Sequence, residues 1–236
     1  MEGPDAFDRR RYIDAQLLPG CVPGTVTKMT ISSDIQGFIL VGGASSRMGT
    51  DKSRLKLGEK TFVERIYEAL NPVVSSTTLI TSNRKTANWR IPVITDVFEG
   101  WGALGGLHSA LSACDSTWAF VVACDLPLVT KDLFVRLASF REGSDAVAPV
   151  QRDGYLQPLC TLYRTEPCRR CAEQLIASGE RRPKSLLSAV KTRWVAFNEI
   201  EDLDGSGAFF ANINTPADFD EIRRLVKGET RKPSGN

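Results

Sequence analysis

The run Phe38-Ile39-Leu40-Val41-Gly42-Gly43-Ala44-Ser45-Ser46-Arg47-Met48-Gly49-Thr50-Asp51-Lys52 constrains this chain more than any other segment. A short apolar strand enters two glycines, then a loop of small residues, then an arginine and a lysine. Glycine lets a backbone come close to a ligand, and exposed backbone N–H groups can form an anion-binding concavity. Arg47 and Lys52 add positive charge over it. From Ser45 to Lys60, five basic residues (Arg47, Lys52, Arg54, Lys56, Lys60) stand against two acidic ones, Asp51 and Glu59. The pattern predicts a phosphate cradle for a nucleotide at the end of a buried strand. It is not a P-loop, which needs four residues between its glycines and a lysine after the second. Here Gly43 and Gly49 enclose five residues, and Thr50 follows.

Beyond residue 34, strand and helix signals alternate. Strands are predicted at 38–41, 77–81, 91–95 and 118–124. Helices are predicted at 62–70, 104–113 and 132–140. Such alternation predicts a mostly parallel sheet with helices on both faces, a single doubly wound α/β domain. The second half is less regular. Segments 145–150 and 156–163 flank Asp153-Gly154, a hairpin turn. Helices are expected at 166–178 and 183–190, and strands at 192–197 and 209–213. Thr215 caps a last helix with Pro216 at its first position and Asp218 closing a capping box. Residues 1–33 lack periodicity and are expected to be a flexible appendage, residues 34–228 the domain, and 229–236 a flexible tail.

A length of 236 residues, 42% hydrophobic and 25% charged, fits one globular domain. The net charge of +2 offers no nucleic-acid surface or polybasic membrane anchor. Neither a bilayer-length apolar stretch nor a secretory h-region is present, and a cytoplasmic protein is expected. Six cysteines are too few for a disulfide scaffold. Cys168-Arg-Arg-Cys171 has no second pair, so a zinc site is not expected.

Asp125 ends the most hydrophobic strand and precedes Leu126-Pro127. In open α/β sheets ligands bind beyond the carboxyl ends of strands, and a carboxylate there can hold Mg²⁺ together with substrate phosphates. Asp96 also ends a strand and opens a glycine-rich stretch, Gly100-Trp-Gly102-Ala-Leu-Gly105-Gly106. Its G-x-G-x-x-G spacing, with Asp125 twenty residues past the last glycine, matches a dinucleotide fingerprint. That reading, a nicotinamide oxidoreductase, is disfavoured because the motif lies well after the first β/α unit. His108, the single histidine, is expected to be structural.

Leu-x-Gly-Gly-x-x-x-Arg-Met-Gly-x-Asp-Lys resembles the signature of the molybdenum cofactor guanylyltransferases, which attach GMP to molybdopterin. More broadly it resembles nucleotidyltransferases acting on sugar phosphates or using CTP. Asp51-Lys52, where sugar nucleotidyltransferases usually carry Pro-Lys, favours the molybdopterin branch. Val41 departs from the usual alanine. The resemblance runs in pieces from about Phe38 to Asp220. It implies a Rossmann-like nucleotidyltransferase fold and GMP transfer from GTP to molybdopterin or its molybdenum-loaded form, with release of pyrophosphate.

Mg²⁺ would be the cofactor, and other cofactor-biosynthesis proteins would be transient partners. Leu40, Val41, Gly42, Gly43, Lys52, Asn83, Asp96 and Asp125 would contact the nucleotide. Arg47, Lys52 and Asp125 would be catalytic, with the metal on Asp125. Asn212-Ile-Asn214-Thr-Pro resembles a family motif near metal and acceptor, and Gly179-Glu-Arg181-Arg182-Pro-Lys matches a family loop. Arg181, Arg182, Asn212 and Asn214 would therefore serve the acceptor. The same residues would also suit a CTP- or sugar-specific transferase on this scaffold, or a non-catalytic nucleotide-binding protein.

Overall fold

The computed structural model describes residues 33–42, 55–82, 89–96, 98, 100–211, 213 and 215–226. In chain order these form β1 (Ile35–Val41), β2 (Lys56–Leu57), β3 (Lys60–Thr61), α1 (Phe62–Leu70), β4 (Thr77–Thr81) and β5 (Val93–Thr95). Then come α2 (Gly102–Ala113), β6 (Trp118–Ala123), α3 (Lys131–Ser139), β7 (Ala146–Pro149) and β8 (Cys160–Arg164). The last elements are α4 (Thr165–Ala177), α5 (Pro183–Ala189), β9 (Thr192–Val195) and α6 (Pro216–Val226). Residues 1–32 of the expected appendage, and residues 227–236, lie outside the described residues. Among the described residues no helix is long and apolar enough to cross a membrane.

One seven-stranded sheet runs in the order β5-β4-β1-β6-β8-β7-β9. Strands β5, β4, β1 and β6 are mutually parallel. Only β8 runs against its neighbours β6 and β7, while β7 and β9 are parallel. The chain moves outward from β1 to β4 and β5, then crosses back to place β6 on the other side of β1. That reversal makes the β1/β6 boundary a topological switch point, where such sheets leave a crevice beyond the strand ends.

Alternation along β1 and β6 feeds a core on each face of the sheet. Ile35, Ile39, Phe120 and Val122 join Val63, Ile66 and Leu70 of α1 and Phe134 of α3. Phe38, Leu40, Ala119 and Val121 join Leu104, Leu107 and Leu111 of α2 and residues of α4 and α5. Phe120 and Phe134 meet edge to face, ring centroids 5.2 Å apart, worth about 0.5–1.5 kcal/mol beyond the buried area. Gly37 lets α1 lie close on β1, since a Cβ there would sit 2.8 Å from Leu70 Cδ2.

Local chemistry explains the element ends. Thr61 and Glu64 form a capping box that starts α1 immediately after the β2–β3 hairpin. The predicted box at α6 is present: the Thr215 N–H donates to Asp218 Oδ2 at 2.8 Å, and the Asp218 N–H to Thr215 Oγ1 at 3.2 Å. The predicted 153–154 turn holds as well, with Gly154 at φ 84° and a Val150–Leu156 bridge beside it.

One predicted strand is not formed. In place of a strand at 209–213, the chain makes a 3₁₀ turn at Ser206–Ala208, entered through Gly205 at φ 79°. Phe209 and Phe210 continue this turn and pack edge to face at 6.1 Å. Both are buried with the α1/α3-side cluster, so their apolarity marks a core plug and not a ladder.

Candidate active site

A cavity of about 550 Å³ opens at the switch point. From β1 it takes Leu40, Val41 and the following Gly42, and from the β4 end Ile80 and Ser82. Asp96 closes the β5 side, Cys124 and Asp125 the β6 side, and Gly100, Gly102 and Gly106 the wall toward α2. The structure thus brings together Leu40, Val41, Gly42, Asp96 and Asp125 among the predicted site residues. Gly43, Arg47, Lys52, Asn83, Asn212 and Asn214 lie outside the described residues.

The backbone geometry explains why glycine stands where it does. Gly42 leaves β1 at φ 145°, and a Cβ there would lie 3.1 Å from Ser82 Oγ. At Gly105, in the first turn of α2, a Cβ would lie 3.0 Å from both the Phe98 carbonyl oxygen and Trp101 Cβ, tighter than ordinary contact, so glycine suits the close fit of the preceding turn. Gly106 differs. A Cβ there would meet Leu40 Cδ1 at 3.6 Å and Asp96 Oδ2 at 3.8 Å, ordinary contacts that would narrow the cavity without straining the helix.

Asp96 is fixed by its own loop. Its Oδ1 accepts from the Phe98 N–H at 3.0 Å and from the Ser109 hydroxyl at 2.7 Å, which leaves Oδ2 beside Gly106. Asp125 follows β6 in a tight turn closed by the Leu126 N–H donating to the Ala123 carbonyl at 3.3 Å. The Ile213 N–H donates to the Asp125 carbonyl at 3.4 Å, so the residue between Asn212 and Asn214 is tied to the Asp125 loop. Asp96 and Asp125 supply hard oxygen donors to one cavity. Among the described residues no three His, Cys, Asp or Glu side chains gather into a metal cluster. One or two carboxylates fit a Mg²⁺ ion that is also held by substrate phosphates and water.

The two loop arginines part company. Arg182 is bound to Glu180 through Nε and Nη2, each at 2.9 Å. With the Ser185 hydroxyl and the Arg181 and Arg182 N–H groups, it holds the Glu180 carboxyl far below the usual carboxylate range. Arg181 lies over the Trp101 ring, 5.2 Å from its centroid, and its Nη1 reaches the Gly100 carbonyl at 3.5 Å. Arg181 therefore touches the glycine-rich wall of the cavity, the side expected for the nucleotide.

His108 belongs to the scaffold. Its ring meets Phe98 edge-on at 4.9 Å and its Nδ1 lies 3.4 Å from Ser112 Oγ. Burial pushes its pKa below 6.5. Cys168 and Cys171 are free thiols, and the Cys168 thiol donates to the Asp145 carbonyl at 3.2 Å. The Gly100–Gly105 motif follows the edge strand β5, and in the sheet β4 and β1 separate β5 from β6. The adjacent βαβ unit of a dinucleotide fingerprint is absent there. Ser82 and Leu159 also line the cavity. Sequence reasoning missed both. Ser82 carried the same strand-end signal as Asp96, whereas Leu159 precedes its strand.

Residues 37–194 match the model of the MobA-like NTP transferase domain. The chain is 33% identical over 201 residues to a molybdenum cofactor guanylyltransferase of Yersinia pseudotuberculosis, covering 83% of this chain and 98% of the relative. It is 33% identical over 199 residues to that of Vibrio cholerae, covering 82% and 93%. The crystal structure of molybdopterin-guanine dinucleotide biosynthesis protein A from Archaeoglobus fulgidus superposes with a TM-score of 0.71. Its sequence is 26% identical, and the match covers 82% of this chain and 99% of that one.

Proposed function

Since the chain belongs to the MobA-like NTP transferase family, we propose that it transfers GMP from GTP to molybdopterin, or to its molybdenum-loaded form, releasing pyrophosphate. The observation that carries this reading is the switch-point cavity, where Gly42, Asp96 and Asp125 meet the Gly100–Gly106 wall. The guanine base lies against Leu40–Gly42 and the glycine-rich wall. The triphosphate runs over the Gly43–Gly49 loop, with Asn83 a further nucleotide contact. Arg47 and Lys52 neutralise its charge, and Lys52 does so most in the transition state. The terminal phosphate of the acceptor attacks the α-phosphorus in line. Catalysis of this kind comes from positioning and charge stabilisation, and no protein nucleophile is needed.

Asp125, with Asp96 across the cavity, would hold Mg²⁺. When bound, the ion supplies charge neutralisation between phosphate oxygens. Asn212 and Asn214 serve the acceptor side. The tie between Ile213 and the Asp125 carbonyl supports that assignment. The described cysteines are all free, in keeping with a reduced cytoplasmic setting. Calorimetry with GTP, CTP, ATP and UTP, each with and without Mg²⁺, tests the reading. GTP should bind in preference to the others and more tightly with Mg²⁺, and a preference for CTP would overturn the guanine assignment.

A further inference from the structure

Arg65 lies one turn inside α1 and is itself assigned to no part of the site. Its Nε–H donates to the Pro127 carbonyl at 3.1 Å, across 62 residues of chain. Pro127 is buried and stands two residues beyond Asp125. A buried carbonyl needs a partner, and this one receives a charged donor. The helix that offers the donor is itself rigidly held. Phe62, Val63 and Ile66 are fully buried, and the Thr61–Glu64 capping box fixes the first turn. That helix is also the element reached directly from the glycine-rich loop through the β2–β3 hairpin.

We propose that Arg65 is a positioning residue that sets the Asp125-Leu126-Pro127 loop relative to α1, so that the metal-holding carboxylate keeps a fixed place at the cavity edge. The proposal rests on the transferase reading above. The turn bond from Leu126 to Ala123 shapes the loop locally, and the bond from Ile213 tethers it from the far end of the chain. Arg65 is the support that comes from α1. A lysine would not replace it. The guanidinium presents Nε–H in a fixed planar fork, whereas an ammonium is a flexible point charge.

Amide hydrogen exchange across residues 124–130 is measured in the ligand-free wild type, Arg65→Gln and Arg65→Lys. Mn²⁺ binding in the presence of GTP is then followed by electron paramagnetic resonance, and steady-state kinetics in each substrate. Faster exchange in that loop is expected for both variants, with Mn²⁺ affinity and kcat each reduced about 10–100-fold, the usual effect of losing an outer support of a metal site. The KM for GTP should stay within about threefold. Wild-type exchange and Mn²⁺ affinity in folded Arg65→Gln would overturn the proposal, as would a loss confined to thermal stability. If Arg65→Gln does not fold, the same measurements on Arg65→Lys decide. A wild type that binds no Mn²⁺–GTP would refute the transferase reading instead, and the ligand-free exchange would still judge Arg65.

Discussion

Four strands of the sheet run parallel and deliver their carboxyl ends to the cavity, whereas β8 runs against them and delivers its beginning. In the parallel half, Gly42, Ser82, Asp96 and Asp125 each follow a strand. In the mixed half, Leu159 reaches the same cavity from the residue before β8. The difference teaches where chemistry is legible. A rule that looks just past each strand finds the parallel wall and overlooks the antiparallel one. It also shows that the halves are not sealed from each other, because Arg181 of the second half lies on Trp101 of the first.

The comparison breaks most severely if the parallel half does not carry the chemistry. Asp125→Ala and Lys52→Ala should each cost roughly 3 kcal/mol or more in activation free energy, the scale of losing one preorganised charge. Rapid-quench turnover of folded variants measures this, and rates within threefold of wild type would remove the assignment. Gly42→Ala should come next. An alanine forced to φ 145° beside Ser82 should cost on the order of 1–2 kcal/mol. The cost would appear as a lower melting temperature and a weaker preference for GTP over CTP in competition binding.

Separating the two arginines sharpens the boundary between the halves. Arg181→Ala should weaken GTP binding about two- to fivefold, the scale of an exposed cation–π contact. Arg182→Ala should leave GTP binding unchanged, because its guanidinium is bound to Glu180. If both variants spare GTP and raise the acceptor KM, the division expected from sequence, with both arginines serving the acceptor, is the correct one.

Smaller effects concern the scaffold. Native His108 has a pKa below its ordinary 6.5 because burial disfavours the charged ring, although Glu173 and Asp96 pull the other way and Arg169 of α4 adds to the lowering. The unfolded chain therefore takes up this proton first. Stability is full above about 6.5 and falls as pH drops toward the native pKa. Urea midpoints between pH 7.5 and 5.5 should decline less in His108→Gln than in wild type. Removal of residues 1–33 should shift the melting temperature by no more than a few degrees, about 1 kcal/mol for a domain of this size. A larger drop would show that the segment packs on the domain.

The strands and the mostly parallel sheet were legible as far as the β/α alternation lasted, because long apolar runs such as Trp118–Ala123 bury both faces and leave little ambiguity; the order of the strands was not. Phe209 and Phe210 misled because their apolarity is as compatible with a buried turn as with a strand. Asp125 and Gly42 were visible through local rules of strand ends and turns. The Pro127 partner and the turning of Arg181 toward Trp101 were not. Both depend on which distant helix lies alongside, and no spacing within either segment encodes that neighbour.

The backbone bond from the Ile213 N–H to the Asp125 carbonyl also orders events in time. Non-local contacts pay their loop-closure entropy late, and during synthesis the Asp125 loop is made well before the segment that tethers it. The parallel half can collapse around β1 and β6 while the chain is still growing. The Asp125 edge of the cavity must wait for the segment entering α6. Completion of the cavity is thus withheld until nearly the whole domain has been made.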